Sequence, residues 1–202
     1  EEIGAGAFSD CTALESIVIP DSVSSVSESA FSGCTGMREG LIGKGVREIG
    51  KNAFYGCSSL RRITLTSSDI SIGSWAFHNC VNLAEVYDLG GLGVEAGSTF
   101  YGEVGYYAKI VYTSAEEAEK ITHTEDGFLV YADEAAGEYA LIAYAGEAER
   151  VTLPLSVASH DYSVRPNAFK GNTLLREVTV AGGVTEIGAR AFENCTALEE
   201  FT

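Results

Sequence analysis

Apolar residues return along this chain at one fixed interval. The pair Ala-Phe occurs at Phe8, Phe31, Phe54 and Phe77, each 23 residues after the last, and again at Phe169 and Phe192, also 23 apart. Counting on from Phe77 lands on Phe100, which follows Thr99. Three residues beyond the Phe stand Cys11, Cys34, Cys57, Cys80 and Cys195, with Glu103 and Asn172 filling that place elsewhere. Leu14, Met37, Leu60, Leu83, Leu175 and Leu198 come three residues later, and Ile-Gly precedes the pair at Ile3, Ile49, Ile72 and Ile187. The unit reads Ile-Gly-x-x-Ala-Phe-x-x-Cys-x-x-Leu-x-x-Ile-x-Ile-Pro, then a short turn and Val.

Ile63-Thr64-Leu65 alternates as a half-buried strand must, with Thr64 outward. Pro20 after Ile19, and the glycine of Ile-Gly, punctuate turns. A 23-residue unit cannot bury its own apolar face, but stacked units share one core. Strands are predicted near Ile17, Ile42, Ile63, Val86, Ile110, Val151, Val178 and Phe201. Eight such parallel strands at about 4.8 Å spacing would form a sheet roughly 34 Å long. Gly40 takes an inward apolar position, which predicts a small void and a loose second repeat; Asp88 takes another, at the approach to an irregular stretch.

That stretch runs over 113–146, between a first repeat block over 1–112 and a second over 147–202. Ile110-Val111-Tyr112 keeps the strand pattern of a fifth unit. Ser114 followed by Glu117 fits a capping box opening a short helix. Gly127–Tyr131 and Tyr139–Tyr144 flank Asp133–Glu138 as a predicted β-hairpin, and Val151-Thr152-Leu153-Pro154 restarts the repeat.

The motif Ile49-Gly50-Lys51-Asn52-Ala53-Phe54-Tyr55-Gly56-Cys57-Ser58-Ser59-Leu60, with the strand spacing Leu60-x-x-Ile63-x-Leu65, resembles the BspA-like leucine-rich repeat family of surface proteins. The resemblance covers residues 1–100 and about 147–202. It implies an α/β fold: a right-handed solenoid with a parallel sheet on one face, interrupted here by the short helix and hairpin. It further implies a secreted or cell-surface protein, usually bacterial and host-associated, active in adhesion or protein binding and without shared catalytic residues. Both ends fall in mid-repeat, so an excerpt from a longer chain is expected.

The formal charge of −16, from 29 acidic and 13 basic residues, argues against nucleic acid or anionic lipid as a partner. Between Glu103 and Glu149 eleven acids face only Lys109 and Lys120. No apolar run approaches membrane-spanning length.

Stacking predicts that Cys11, Cys34, Cys57 and Cys80 form an inward ladder. Parallel Cβ vectors hold them too far apart for a good bridge, so reduced, buried thiols are expected. His78, His123 and His160 show no convergent spacing and read as surface histidines; no metal or cofactor is expected. The outward strand positions are Val18, Leu41, Thr64, Tyr87, Thr152, Thr179 and Thr202. Tyr87 and the basic pair Arg61-Arg62 stand out among them and their neighbours as candidate ligand contacts. Trp75 is a second candidate, although packing against Tyr101, Tyr106 and Tyr107 is the preferred reading.

These features point to a non-catalytic, monomeric module that binds a protein or glycan. A structural spacer is the alternative, favoured by bare Thr columns. A polysaccharide hydrolase would need two carboxylates facing each other across a cleft, and ranks last.

Overall fold

The computed structural model describes residues 1–202, which divide into two compact units, 1–115 and 116–202. The first contains nine strands: β1 (Glu2–Ile3), β2 (Ser16–Ile19), β3 (Ser25–Val26), β4 (Glu39–Ile42), β5 (Glu48–Ile49), β6 (Arg62–Leu65), β7 (Ser71–Ile72), β8 (Glu85–Asp88) and β9 (Ile110–Tyr112). They form two parallel sheets, β2-β4-β6-β8-β9 and β1-β3-β5-β7. Each repeat therefore gives one longer strand and one two-residue strand, the second at the Ile-Gly that reads in the sequence as a turn. That glycine is required by close approach: a Cβ on Gly50 would sit 2.6 Å from the Glu28 nitrogen on the preceding rung.

Ile17, Gly40, Ile63, Val86 and Val111 lie in register across the longer strands. The void predicted at Gly40 does not exist. A Cβ there would meet Ile63 Cδ1 at 2.8 Å and Ile17 Cγ1 at 3.3 Å, so the neighbouring isoleucines already fill the space. Asp88 is buried, and its carboxylate accepts the Leu92, Gly93 and Val94 backbone N–H groups at 2.9, 2.8 and 3.0 Å. An acid replaces the apolar residue here because a loop must be fastened.

The phenylalanines form one continuous column. Phe8, Phe31, Phe54 and Phe77 stack at centroid distances of 5.0, 5.2 and 5.0 Å, with interplanar angles of 2, 2 and 13°. Each of the first three also donates its N–H to the alanine carbonyl one rung on, as in Phe31 to Ala53 at 2.7 Å. The column does not continue to Phe100, which is 76% exposed. Phe77 donates instead to the Gly102 carbonyl, because the fifth rung is longer: Glu85 pairs with Ile110, 25 residues on.

All five cysteines are free. Cys34, Cys57 and Cys80 are buried, and their thiols donate to the Phe8, Phe31 and Phe54 carbonyls at 3.0, 3.2 and 3.2 Å. Cys11 departs from the predicted ladder: it is exposed.

The second unit is laid out differently at its start. A five-residue helix, α1 (Ala115–Glu119), precedes β10 (Ile121–His123), β11 (Phe128–Asp133) and β12 (Glu138–Tyr144). The predicted hairpin is β11-β12, and β10 extends it to an antiparallel meander. β13 (Arg150–Thr152), β14 (Tyr162–Val164), β15 (Glu177–Thr179), β16 (Val184–Ile187) and β17 (Glu200–Phe201) complete the unit. β12 pairs in parallel with β14, and β14 with β16. β12 thus stands in for a repeat rung: Tyr144 donates to the Ala168 carbonyl at 3.1 Å and stacks on Phe169 at 5.5 Å, and Phe169 stacks on Phe192 at 4.6 Å. The eight predicted strands consequently belong to two sheets, five in the first unit and three (β13-β15-β17) in the second. Each unit has its own apolar core.

Two outcomes follow from this packing. Phe54→Ala should cost about 3–5 kcal/mol, because it removes a buried ring from the middle of the column. Phe100→Ala should change stability by less than about 0.5 kcal/mol. Urea unfolding followed by circular dichroism compares the two, and equal losses would contradict the break in the column. Burial pushes the Cys34 thiol up to about 11, leaving about one thiolate in a thousand at pH 8. A thiol reagent should therefore label Cys11 promptly in the native protein and reach Cys34, Cys57 and Cys80 only on unfolding.

Candidate functional site

Strand alternation that buries Ile63, Leu65 and Val86 must turn their neighbours outward. Two outward columns result in the first unit: Ser16, Glu39, Arg62, Glu85 and Ile110, and beside it Val18, Leu41, Thr64, Tyr87 and Tyr112. Val18 and Leu41 are exposed, whereas Tyr112 is buried.

The columns meet around Glu85, which is only 3% exposed. Arg62 Nη2 lies 3.5 Å from Glu85 Oε1. The Tyr87 and Tyr112 hydroxyls donate to Glu85 Oε2 at 3.2 and 3.3 Å. The two tyrosine rings stack at 4.3 Å, and the Arg62 guanidinium carbon stands 5.5 Å from the Tyr87 ring centroid. One desolvated carboxylate thereby fixes the orientation of an arginine and two tyrosines.

The electrostatics follow from that placement. Burial, then the Glu85 charge, pushes both tyrosine hydroxyls above their ordinary range, Tyr112 strongly. Burial opposes charge on Arg62, but Glu85 and Tyr87 outweigh it and the net direction is upward. Arg62 stays cationic.

Of the residues singled out in the sequence, Arg62 and Tyr87 come together here. Arg61 enters through its carbonyl, which accepts the Ala84 and Glu85 N–H groups at 3.0 Å each. Glu85 and Tyr112 escaped notice as functional residues. Glu85 could have been found by its place between Arg62 and Tyr87, while Tyr112 was hidden by the longer fifth rung.

Trp75 lies apart, on the strip of turns that carries the Ala-Phe pairs. It does not pack against Tyr101, Tyr106 and Tyr107. Tyr106 and Tyr107 meet edge to face at 4.8 Å, and the Tyr101 hydroxyl bonds the Leu92 carbonyl at 2.7 Å. Trp75 instead has His78 at 6.3 Å and the Lys51 ammonium 5.9 Å from its ring centroid. His78, read from sequence as an ordinary surface residue, is the centre of that group: it also stacks on Tyr55 at 5.6 Å and meets Glu103 Oε2 at 2.7 Å. The 23-residue separation of Tyr55 and His78 was the available signal.

No group of three or more His, Cys, Asp or Glu side chains is placed to hold a metal ion. No helix is long and apolar enough to cross a membrane.

A family model described as a BspA type leucine-rich repeat region matches in six copies, over residues 1–102 and 143–202. No curated protein matches the chain. Among solved structures, a leucine-rich cell surface protein from Faecalibacterium prausnitzii is similar at 21% identity and a TM-score of 0.39, covering 100% of this chain and 64% of that one. The pneumococcal vaccine antigen PcpA is similar at 18% identity and a TM-score of 0.41, with 100% and 55% covered. A leucine-rich repeat protein from T. pallidum gives 21% identity, a TM-score of 0.41, and 98% and 71% covered. The chain spans less than two thirds of the first two proteins' length.

The raised Tyr112 hydroxyl sets an alkaline limit. Above pH 10 the unfolded chain loses this proton while the folded chain keeps it, so stability present below about pH 10 falls as pH rises further. Thermal unfolding between pH 9 and 11.5 should show that decline, and Tyr112→Phe should flatten it; an unaltered slope would remove Tyr112 as its source.

Proposed function

The chain belongs to the BspA-type leucine-rich repeat family, and from that premise we propose that its first unit is a non-catalytic module that binds a protein partner across the sheet face around Arg62 and Tyr87. Repeats of this family make modules for protein binding or surface display. The observation that carries the finer reading is the Arg62–Glu85–Tyr87–Tyr112 group, which holds Arg and Tyr rigid on the sheet before any partner arrives. Those two residue types dominate binding hot spots, and pre-ordering them spares the rotamer entropy that association otherwise costs. Val18 and Leu41 extend the same face with exposed apolar surface.

The two most buried carboxylates support the non-catalytic reading. Glu85 is held by Arg62 and two tyrosines, and Asp88 by three backbone N–H groups, so neither is poised as a general acid or base. A secreted or cell-surface location is part of the proposal, and the family match supports it.

A second role suits the second unit, whose outward column is Thr152, Thr179 and then Thr202, whose hydroxyl meets that of Thr179. Beside them Arg150 pairs with Glu177 at 3.3 Å. This is a generic strand surface, and we assign it a spacer's part.

The test is surface plasmon resonance of the whole chain against a panel of purified extracellular-matrix proteins. For a partner that binds, Arg62→Ala and Tyr87→Ala should each weaken affinity about 10- to 30-fold, equivalent to about 1.4–2 kcal/mol. Thr152→Ala should leave it unchanged. An unchanged affinity in the Arg62/Tyr87 double variant would remove the proposed face, and silence across the panel would favour the spacer for the whole chain.

A further inference from the structure

The residue just before Ala-Phe sits in the left-handed backbone region in every regular repeat. Its φ is 63° at Gly6, 56° at Ser29, 56° at Asn52, 58° at Trp75, 63° at Asn167 and 59° at Arg190. Glycine and asparagine adopt this conformation cheaply; for a bulky side chain it is a true outlier. Trp75 accepts that cost while leaving 53% of its surface exposed. Strain kept without burial points to a surface role.

Its surroundings give that role a chemistry. Tyr55 is likewise exposed and stacks on His78 at 5.6 Å. The Asn79 amide donates to the Tyr55 hydroxyl at 3.1 Å, and His78 Nδ1 lies 2.7 Å from Glu103 Oε2. Two exposed rings are thus steadied by polar partners. Polar groups lie around them: the Asn79 amide at the Tyr55 hydroxyl, the Lys51 ammonium over the Trp75 ring, and the Glu103 carboxylate on His78.

We propose that this strip is a saccharide-binding site for a neutral oligosaccharide built of pyranose units. A pyranose presents a face of C–H bonds that lies flat on an aromatic ring, while its hydroxyls project sideways to amide, ammonium and carboxylate groups. A protein hot spot would instead need a desolvated centre, and here each ring is bordered by polar groups. Acidic sugars are disfavoured by the chain's net charge of −16. The ring-to-ring steps of 5.6 Å from Tyr55 to His78 and 6.3 Å from His78 to Trp75 are on the scale of one sugar unit, so an extended oligomer can set different units against Tyr55 and Trp75. The site is separate from the sheet face, and does not depend on the reading given to Arg62 and Tyr87.

The chain has a single tryptophan, so its fluorescence reports on this site directly. The whole chain is titrated with three neutral hexasaccharides: β-linked glucose, β-linked N-acetylglucosamine and α-linked mannose. At least one should quench or shift the Trp75 emission saturably, and calorimetry should give its affinity. Trp75→Asn places in the strained position the residue that Asn52 and Asn167 already supply. It should keep or raise the unfolding temperature while weakening binding at least tenfold. Tyr55→Ala should weaken binding at least fivefold. The proposal is overturned if none of the three sugars gives a saturable change, or if Trp75→Asn binds as the parent does. A marked fall in unfolding temperature in Trp75→Asn would overturn it too, since Trp75 would then be structural.

Discussion

Every feature of the first unit depends on one constraint: equivalent residues of successive repeats lie one strand spacing apart, joined through the main chain. The Phe31 N–H reaches Ala53, Gly50 reaches Val26, and Gly73 reaches Ile49, each at 2.7 Å. Turns usually leave polar backbone groups to water. Here each turn is satisfied by the turn above or below it, which lets turns as well as strands be buried. A side chain is then chosen chiefly for what its counterpart one rung away tolerates. Phenylalanine stacks on phenylalanine, and each buried thiol finds a phenylalanine carbonyl, because identical backbones put identical groups at one repeated separation.

This is also why so much could be read from the sequence. Periodicity places Phe31, Phe54 and Phe77 in one column and separates Tyr87 from Val86 across the sheet, since both follow from translation by a fixed step. What escaped was whatever depends on a departure from that step. Gly40 looks like a hole until Ile17 and Ile63 are seen to lean into it, which is a matter of rotamers, not of register. Asp88 looks misplaced until its loop supplies three N–H groups. Phe100 satisfies the count but not the geometry, because the fifth rung advances 25 residues instead of 23. The β10 strand is not predicted from the sequence, its three residues being too few to show a period of their own. Of the candidate site, Arg62 and Tyr87 were legible by column, but the carboxylate that binds them together was not.

The acidic composition adds a second constraint. Stacked like charges repel at strand spacing, so a chain of net charge −16 cannot stack acids freely. The outward column runs Glu39, Arg62, Glu85, alternating in sign, and Arg62 is held cationic from both sides. The second unit uses the device once, in Arg150 and Glu177, after which Glu200 follows Glu177 in register. Basic residues are scarce, and several are spent in this way.

A perfect repeat would present the same surface on every rung and offer no unique place to bind. Both candidate surfaces instead arise where the irregular fifth rung meets the regular fourth. Tyr112 comes from that rung and covers the Glu85 carboxylate, turning an alternating charge column into a fixed Arg–Tyr group. Glu103 comes from it too, and anchors the histidine against which Tyr55 and Trp75 are arranged. The three-residue turn Tyr101–Glu103, with left-handed Tyr101 and Glu103, delivers that carboxylate. Regularity builds the scaffold. The extra residues of one rung give it distinguishable faces, and it is there that selective recognition becomes physically possible.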